Sequence, residues 1–525
     1  MAASSSLPAL PSLRRAASGV LLAGLLSRVV GLAREILIAQ QFGVGADLDA
    51  VYLGLAVPMA LTVGLGGGLA RAAVPAGSAL AGERLGGLLR HGTVRLMLWL
   101  AAPSVLLAAS APMWVRYLML GDDPLPGRLV ELSAIMAALT LLGGALGGFT
   151  VGLLNAQGRH AAAALNPAVY NLIVCGGLLL LAPRFGALAL AMAVLLAEWV
   201  QVAWQWPFVR AIAGAISRTG GADSWRTVQA VFAPAAVIGV ATGANLAVDR
   251  AFASSLPEGA IAALSYADKL LNLPVGLVGT ALAAPLFTRL SRAVAAGDEA
   301  GFARELLLGV RVLLLVGVPL AIGLGFFAEP IIGLLLARGA FGVEAVELSA
   351  TALRGYGVAI PALTIAPLLV NAALARKKAW AVVVLIVGLV VLNAVADAAL
   401  VRVAGLLGIA VATSLVAFVK VLVLAALVAP ALLRDRDLLR TGARTFAFGA
   451  LLGGAFWPLR GVLTPWLESD RPVLWAGCLA CAAAVFLLIC AAAWWPLLRP
   501  EWRHLTANLT VGWRRSGERE SGAAE

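Results

Sequence analysis

An apolar helix with charges in its middle constrains this chain more than any other stretch. Residues 19–58 read GVLLAGLLSRVVGLAREILIAQQFGVGADLDAVYLGLAVP. Val20 to Gln41 suffice to cross a bilayer at about 1.5 Å per residue, yet Arg28, Arg34 and Glu35 fall within the span. Charge at that depth is costly unless it faces a polar cavity or a partner, so it points to function. Ser27, Gly31, Arg34 and Glu35 follow i, i+4, i+7, i+8 spacing and share one helical stripe. For Arg28 the alternative is an interfacial side chain snorkelling to the headgroups.

The rest of the chain is of the same kind. Of 525 residues, 61% are hydrophobic and 13% charged, a balance that leaves too little polar surface for a soluble domain. The apolar runs are continuous rather than alternating, which excludes a β-barrel. The expectation is an all-α polytopic membrane protein with fourteen transmembrane helices near 20–41, 50–75, 93–113, 129–153, 161–182, 185–208, 228–253, 260–287, 307–327, 348–374, 379–399, 405–430, 446–464 and 473–497. The net charge of +12 is dispersed over short loops with no basic domain, so nucleic acid is not an expected partner. Lys and Arg favour one set of alternate loops by roughly three to one, which places both termini in the cytoplasm. No cleavable signal peptide is evident, and the tail after Arg499 is polar and expected to be disordered. Cys478 and Cys481 have CxxC spacing without a second pair or a nearby His, which fits small-residue packing better than metal.

An internal repeat appears when the seventh span is laid on the first. Arg34 to Pro58 covers the same interval as Arg250 to Pro274, with Gly43 and Gly259 at the matching turn. An even offset keeps both halves in one orientation, the parallel repeat of a two-lobed transporter with its site between lobes near the midplane. The expected organisation is an N-lobe of six helices over 1–225, a C-lobe of six over 226–431, two further helices over 432–498 and a cytoplasmic tail over 499–525.

Further charges fall inside predicted spans. Arg71, Arg311, Arg354 and Lys420 lie near span ends and suit snorkelling. Glu198 stands alone, whereas Asp249-Arg250 and Asp268-Lys269 repeat the adjacent opposite charges of Arg34-Glu35. Such pairs either neutralise each other to fix packing or line a cavity. A cavity with Arg28, Arg34 and Lys269 would offer donors to pyrophosphate, with Glu35, Asp49 and Asp268 as its charge partners. A second set is different in kind: Asn393 and Asp397 share a helix face, and Asp249 and Thr413 complete an all-oxygen group of the type hard cations prefer. The same residues also suit the packing of a broken helix.

At these residues the sequence resembles the MurJ (MviN) family of lipid II flippases, in the superfamily of polysaccharide flippases and multidrug exporters. The resemblance rests on LLSRVVGLAREILIAQQFGVGADLDAVYLGLAVP (25–58), VDRAFASSLPEGAIAALSYADKLLNLPVGLVGTALAAPLFTRLSR (248–292) and ARGAFGVEAVELSATALRGYGVAIPALTIAPLLVNAALARKKAW (337–380). It implies a flippase, not an enzyme, that carries undecaprenyl-pyrophosphate-linked peptidoglycan precursor from the cytoplasmic to the periplasmic leaflet of the bacterial inner membrane by alternating access. The last two helices would form a groove for the lipid tail. It implies pyrophosphate contacts at Arg28, Arg34 and Lys269, and for some members a sodium ion at Asp249, Asn393, Asp397 and Thr413. A monomer working with the cell-wall synthesis machinery is the expected state.

The chain departs from the family where PMALTVGLGGGLARAAVP (58–75) has Thr62 and a glycine run in place of an arginine and a glutamate. The eighth span carries Lys269 for arginine and Asn272 for a glutamate. A flippase for another polyprenyl-pyrophosphate glycan, such as an exopolysaccharide unit, explains the altered second span equally well. A multidrug exporter fits less well, because Arg28, Arg34 and Lys269 would repel cationic drugs. A membrane-embedded transferase lacks a histidine outside predicted cytoplasmic segments and a long periplasmic loop to hold a base.

Overall fold

The computed structural model describes residues 13–121, 125–213 and 221–447, together with 449, 451 and 454. The described residues form helices and turns with no strand. In order they are α1 (Leu13–Phe42), α2 (Ala46–Ser78), α3 (Gly82–Ala109), the short α4 (Ala111–Trp114), α5 (Gly127–Ala138), α6 (Thr140–Ala156), α7 (His160–Phe185) and α8 (Leu188–Ala213). They continue with α9 (Ala222–Ala253), α10 (Ala260–Ala295), α11 (Glu299–Phe326), α12 (Ala328–Leu336), α13 (Val343–Gly357), α14 (Ile360–Ala375) and α15 (Ala379–Val428).

A helix lies at each of the first twelve expected spans. The thirteenth and fourteenth fall almost wholly outside the described residues, as does the tail. By length and composition nine described helices can cross a membrane, or ten if α13 and α14, bent by 47°, make one span. α15 covers two expected spans, and Gly405 (φ 54°, ψ −129°) breaks the helix between them.

Contacts divide the chain into two compact units. The first comprises Met1–Tyr266, Leu335–Ser349 and Val383–Ile409; the second comprises Ala267–Leu334, Ala350–Val382 and Ala410–Glu525. In the first unit α2 is the central element, packed against α9 on one side and α5 and α6 on the other. The glycine run absent from the expected family pattern makes this possible. A Cβ on Gly66 would lie 2.6 Å from the carbonyl oxygen of Gly144, and one on Gly68 would lie 2.9 Å from Ala236 Cα. Small residues thus let three backbones approach closely, which is how helices gain packing energy where lipid removes the hydrophobic drive. Thr62 is buried there too, its hydroxyl 3.0 Å from that of Thr140. A cluster of Leu69, Leu85, Phe149, Leu153 and Trp225 closes the far end of α2, with Trp225 edge-on to Phe149 at 5.8 Å.

The turn glycines of the repeat, Gly43 (φ 58°) and Gly259 (φ 90°), both adopt the left-handed conformation that an L side chain resists. In the second unit α11 packs on α14. The guanidinium of Arg376 stacks 4.1 Å from the Phe302 ring and donates to Val428 O at 2.8 Å, while Lys378 Nζ donates to Leu427 O at 2.7 Å. Two cations thereby meet the free carbonyls at the C-terminus of α15. Arg354 pairs with Glu329 at 2.8 Å and Arg311 with Asp435 at 3.3 Å, so these two of the span-end cations have acidic partners.

Candidate functional site

The stripe of α1 that carries Ser27, Gly31, Arg34 and Glu35 is ordered by one residue of α7, Asn171. Arg34 Nη1 donates to Asn171 Oδ1 at 2.7 Å, and Asn171 Nδ2 donates back to Ser27 O at 3.4 Å. Gly31 leaves room for it: a Cβ there would stand 3.1 Å from Asn171 Nδ2. On its other edge the guanidinium gives both Nε, at 3.0 Å, and Nη2 to Glu35 Oε1. The Tyr170 ring lies 6.0 Å from Arg34 Cζ. Arg34 is therefore clamped from two sides, yet its side chain keeps 18% of its surface against 6% for Glu35. A clamped guanidinium with a free edge is preorganised to take an anionic oxygen at little further entropic cost. Arg28 is half-buried, two turns nearer the N-terminus of the same helix.

The repeat partner of Arg34 behaves differently. Arg250 is 6% exposed, donates to Tyr52 O at 3.0 Å and lies 5.3 Å from the Tyr52 ring. It acts as a strut between α9 and α2. Asp49, an expected charge partner of the cavity, is 2% exposed, and its two oxygens accept Gly259 N–H and Ala262 N–H, each at 2.7 Å. The carboxylate caps the N-terminus of α10, where unpaired N–H groups and the helix dipole favour negative charge. Asp49→Ala should cost about 1.5–3 kcal/mol, the usual range for a hydrogen bond to a charged group, with Asp49→Asn intermediate. A thermal melt of purified protein checks it.

Asp249, Asn393 and Asp397 come together in the first unit. Asn393 Nδ2 bridges the two carboxylates, at 2.7 Å to Asp249 Oδ1 and 2.9 Å to Asp397 Oδ2. Asn393 and Asp397 are fully buried. Asn393 Oδ1 and Asp397 Oδ1 have no hydrogen-bond partner among the described residues. Two orphaned oxygens beside two carboxylates suit a hard monovalent cation, which takes oxygen ligands and offsets the cost of burying charge. Thr413, the fourth expected ligand, belongs to the second unit, as do the half-buried Asp268 and Lys269; Asn272 Nδ2 donates to Asp268 Oδ1 at 2.9 Å.

Glu198 is met by amides. Gln201 donates to it, Asn166 Nδ2 donates to Gln201 Oε1 at 2.8 Å, and Gln205 Nε2 donates to Asn166 Oδ1 at 2.8 Å. Sequence reasoning passed over Asn166 and Asn171 because an uncharged amide in an apolar span carries no periodic or charge signal. Their shared helix is the only hint: two asparagines within one turn and a half of a span are expensive unless bonded.

The sequence model of a family described as "Lipid II flippase MurJ" matches residues 38–473. A curated protein of Burkholderia cenocepacia named "Lipid II flippase MurJ" is 25% identical over 492 residues, covering 88% of this chain and 94% of that protein. A Vibrio cholerae protein named "Probable lipid II flippase MurJ" is 28% identical over 516 residues, covering 90% and 95%. Among solved structures, "Lipid II flippase MurJ, inward closed conformation" superposes with a TM-score of 0.74 at 20% identity, over 91% of this chain and 99% of that one. An inward-facing multidrug MATE family transporter of the MOP superfamily gives 0.60 at 15% identity, over 80% and 99%. At these identities the structural matches establish the fold.

Proposed function

Since the chain belongs to the lipid II flippase MurJ family, we propose that it carries lipid II from the cytoplasmic to the periplasmic leaflet by alternating access. The observation that carries this reading is the clamped, accessible guanidinium of Arg34. Held by Glu35 and Asn171, it presents a fixed donor to a pyrophosphate oxygen, and Arg28 on the same helix adds a second cation. The carboxylate of Glu35 offsets the charge of the empty site, so that the anion is bound and also released. Binding energy comes from charge-assisted hydrogen bonds in a medium less polar than water, where each is worth more than at a surface.

Asp249, Asn393 and Asp397 would hold a sodium ion, whose charge compensates the two carboxylates when bound. The ion's differential affinity for two conformations then biases the equilibrium between them. The protein resides in the bacterial inner membrane with both termini cytoplasmic and works as a monomer beside the cell-wall synthesis machinery. A reporter fused after Glu525 that is active only in the periplasm is expected to stay silent; activity would reverse the orientation. The flippase reading itself is tested in a cell depleted of its own flippase. Expression of this chain should restore growth and clear the accumulated lipid-linked precursor, and continued accumulation at normal expression would refute it.

A further inference from the structure

The charged residues of α2 beyond its first turn reduce to one, Arg71. Its neighbours Leu69, Ala72 and Ala73 are buried, as are Thr62, Gly64, Gly66 and Gly68, which pack on α6 and α9. Val63, Gly67 and Arg71 follow at i, i+4 and i+8 and form the stripe that this packing leaves open: Val63 is 65% exposed, Gly67 half-buried and Arg71 exposed. Among the described residues no acidic side chain pairs with Arg71 and no carbonyl accepts from it.

The direction of the side chain matters more than its exposure. Arg71 lies seven residues before the end of α2 at Ser78, about 10 Å along the axis, close enough for its head to reach the membrane surface. It points the other way. Arg71 Nη2 lies 3.8 Å from where a Cβ on Gly67 would sit, so the guanidinium covers the turn N-terminal to its own Cα. With both termini cytoplasmic, that direction leads from the cytoplasmic surface toward the middle of the bilayer. A side chain on Gly67 would occupy part of the surface over which the guanidinium lies. An unpaired arginine turned inward on an open helix face is costly unless an anion or water meets it.

We propose that Arg71 is a phosphoanion contact on the cytoplasmic side of the path, which engages the pyrophosphate of the substrate before it reaches Arg28 and Arg34. This rests on the flippase reading for the identity of the substrate, but not for the chemistry of the contact. A guanidinium suits the task because its fork binds two phosphate oxygens at once, whereas an ammonium binds as a point charge. The same chemistry would serve phospholipid headgroups, and the membrane composition separates the two sources.

The test is equilibrium binding of lipid II to full-length protein in nanodiscs, of phosphatidylcholine alone and of phosphatidylcholine enriched in phosphatidylglycerol. In phosphatidylcholine, Arg71→Gln should bind at least about tenfold more weakly than wild type, with Arg71→Lys in between. Since Arg71 has no partner to lose among the described residues, the melting temperature should not move. Were Arg71→Gln to unfold, Arg71→Met and Arg71→Lys keep the apolar stem and carry the same comparison. Equal affinity of wild type and variant in both membranes overturns the proposal. So does a difference confined to the phosphatidylglycerol membrane, which would assign the arginine to phospholipid. If wild type fails to bind lipid II, the flippase reading falls, and undecaprenyl pyrophosphate becomes the probe. Arg71-dependent binding of that probe sustains the phosphoanion contact; binding that ignores Arg71, or none at all, overturns it.

Discussion

Arg34→Ala should abolish transport while the protein still inserts and folds. The substitution removes the donor that faces the substrate and also the cation to which Glu35 is bonded, so two effects must be separated. A charge-assisted contact is worth about 1.5–3 kcal/mol, so substrate binding should fall at least about tenfold from the first effect alone. The second effect is destabilisation, since removing one member of a buried pair leaves the other poorly compensated. Arg34→Ala combined with Glu35→Gln restores the charge balance. The double variant should recover the melting temperature but not the transport. Asn171→Ala is a milder relative: it keeps the charge but frees one edge of the guanidinium, and should weaken binding less. Precursor accumulation in a flippase-depleted cell, at matched expression, reads all three. Normal transport by Arg34→Ala would overturn the anion site.

Sodium should stabilise the wild-type protein against heat where potassium at equal ionic strength does not, and Asp397→Asn should remove the difference. A ligand present at about a hundred times its dissociation constant adds about 2.7 kcal/mol to a folded state that alone binds it. The cluster makes the prediction specific. Asn393 spends its amide nitrogen on both carboxylates, which leaves Asn393 Oδ1 and Asp397 Oδ1 as acceptors that lack a donor among the described residues. Asp397→Asn lowers the negative charge beside those atoms and places an NH2 group where oxygen ligands are needed. A melting temperature indifferent to sodium across a wide titration would make the cluster a structural polar knot. The driving force would then be sought in the membrane potential acting on Arg28 and Arg34.

Much of this protein is determined by its sequence alone. Apolar runs of span length dictate helices, because a backbone in lipid must satisfy its own hydrogen bonds. The charges of α1 are conspicuous against that background, and Asp249, Asn393 and Asp397 could be grouped by residue type before any contact was known. The repeat was legible in the equal intervals Arg34–Pro58 and Arg250–Pro274 with Gly43 and Gly259 at the matching turn, and both glycines adopt the positive φ that glycine takes readily.

Tertiary structure decided what each charge does. Arg34 and Arg250 match in the repeat, yet one keeps an accessible edge and the other is buried as a strut, because their neighbours differ: Asn171 beside the first, the Tyr52 carbonyl beside the second. Asp49 reads as one more cavity carboxylate in the sequence, and becomes a helix cap only because α10 begins against it, more than two hundred residues later. Arg71 reads as a snorkelling residue by its distance from the span end, and is turned inward over Gly67. Local spacing fixes which residues share a helix face. What that face meets depends on which distant helix packs there, and small residues such as Gly31, Gly66 and Gly68 set those approaches while contributing almost no signal of their own.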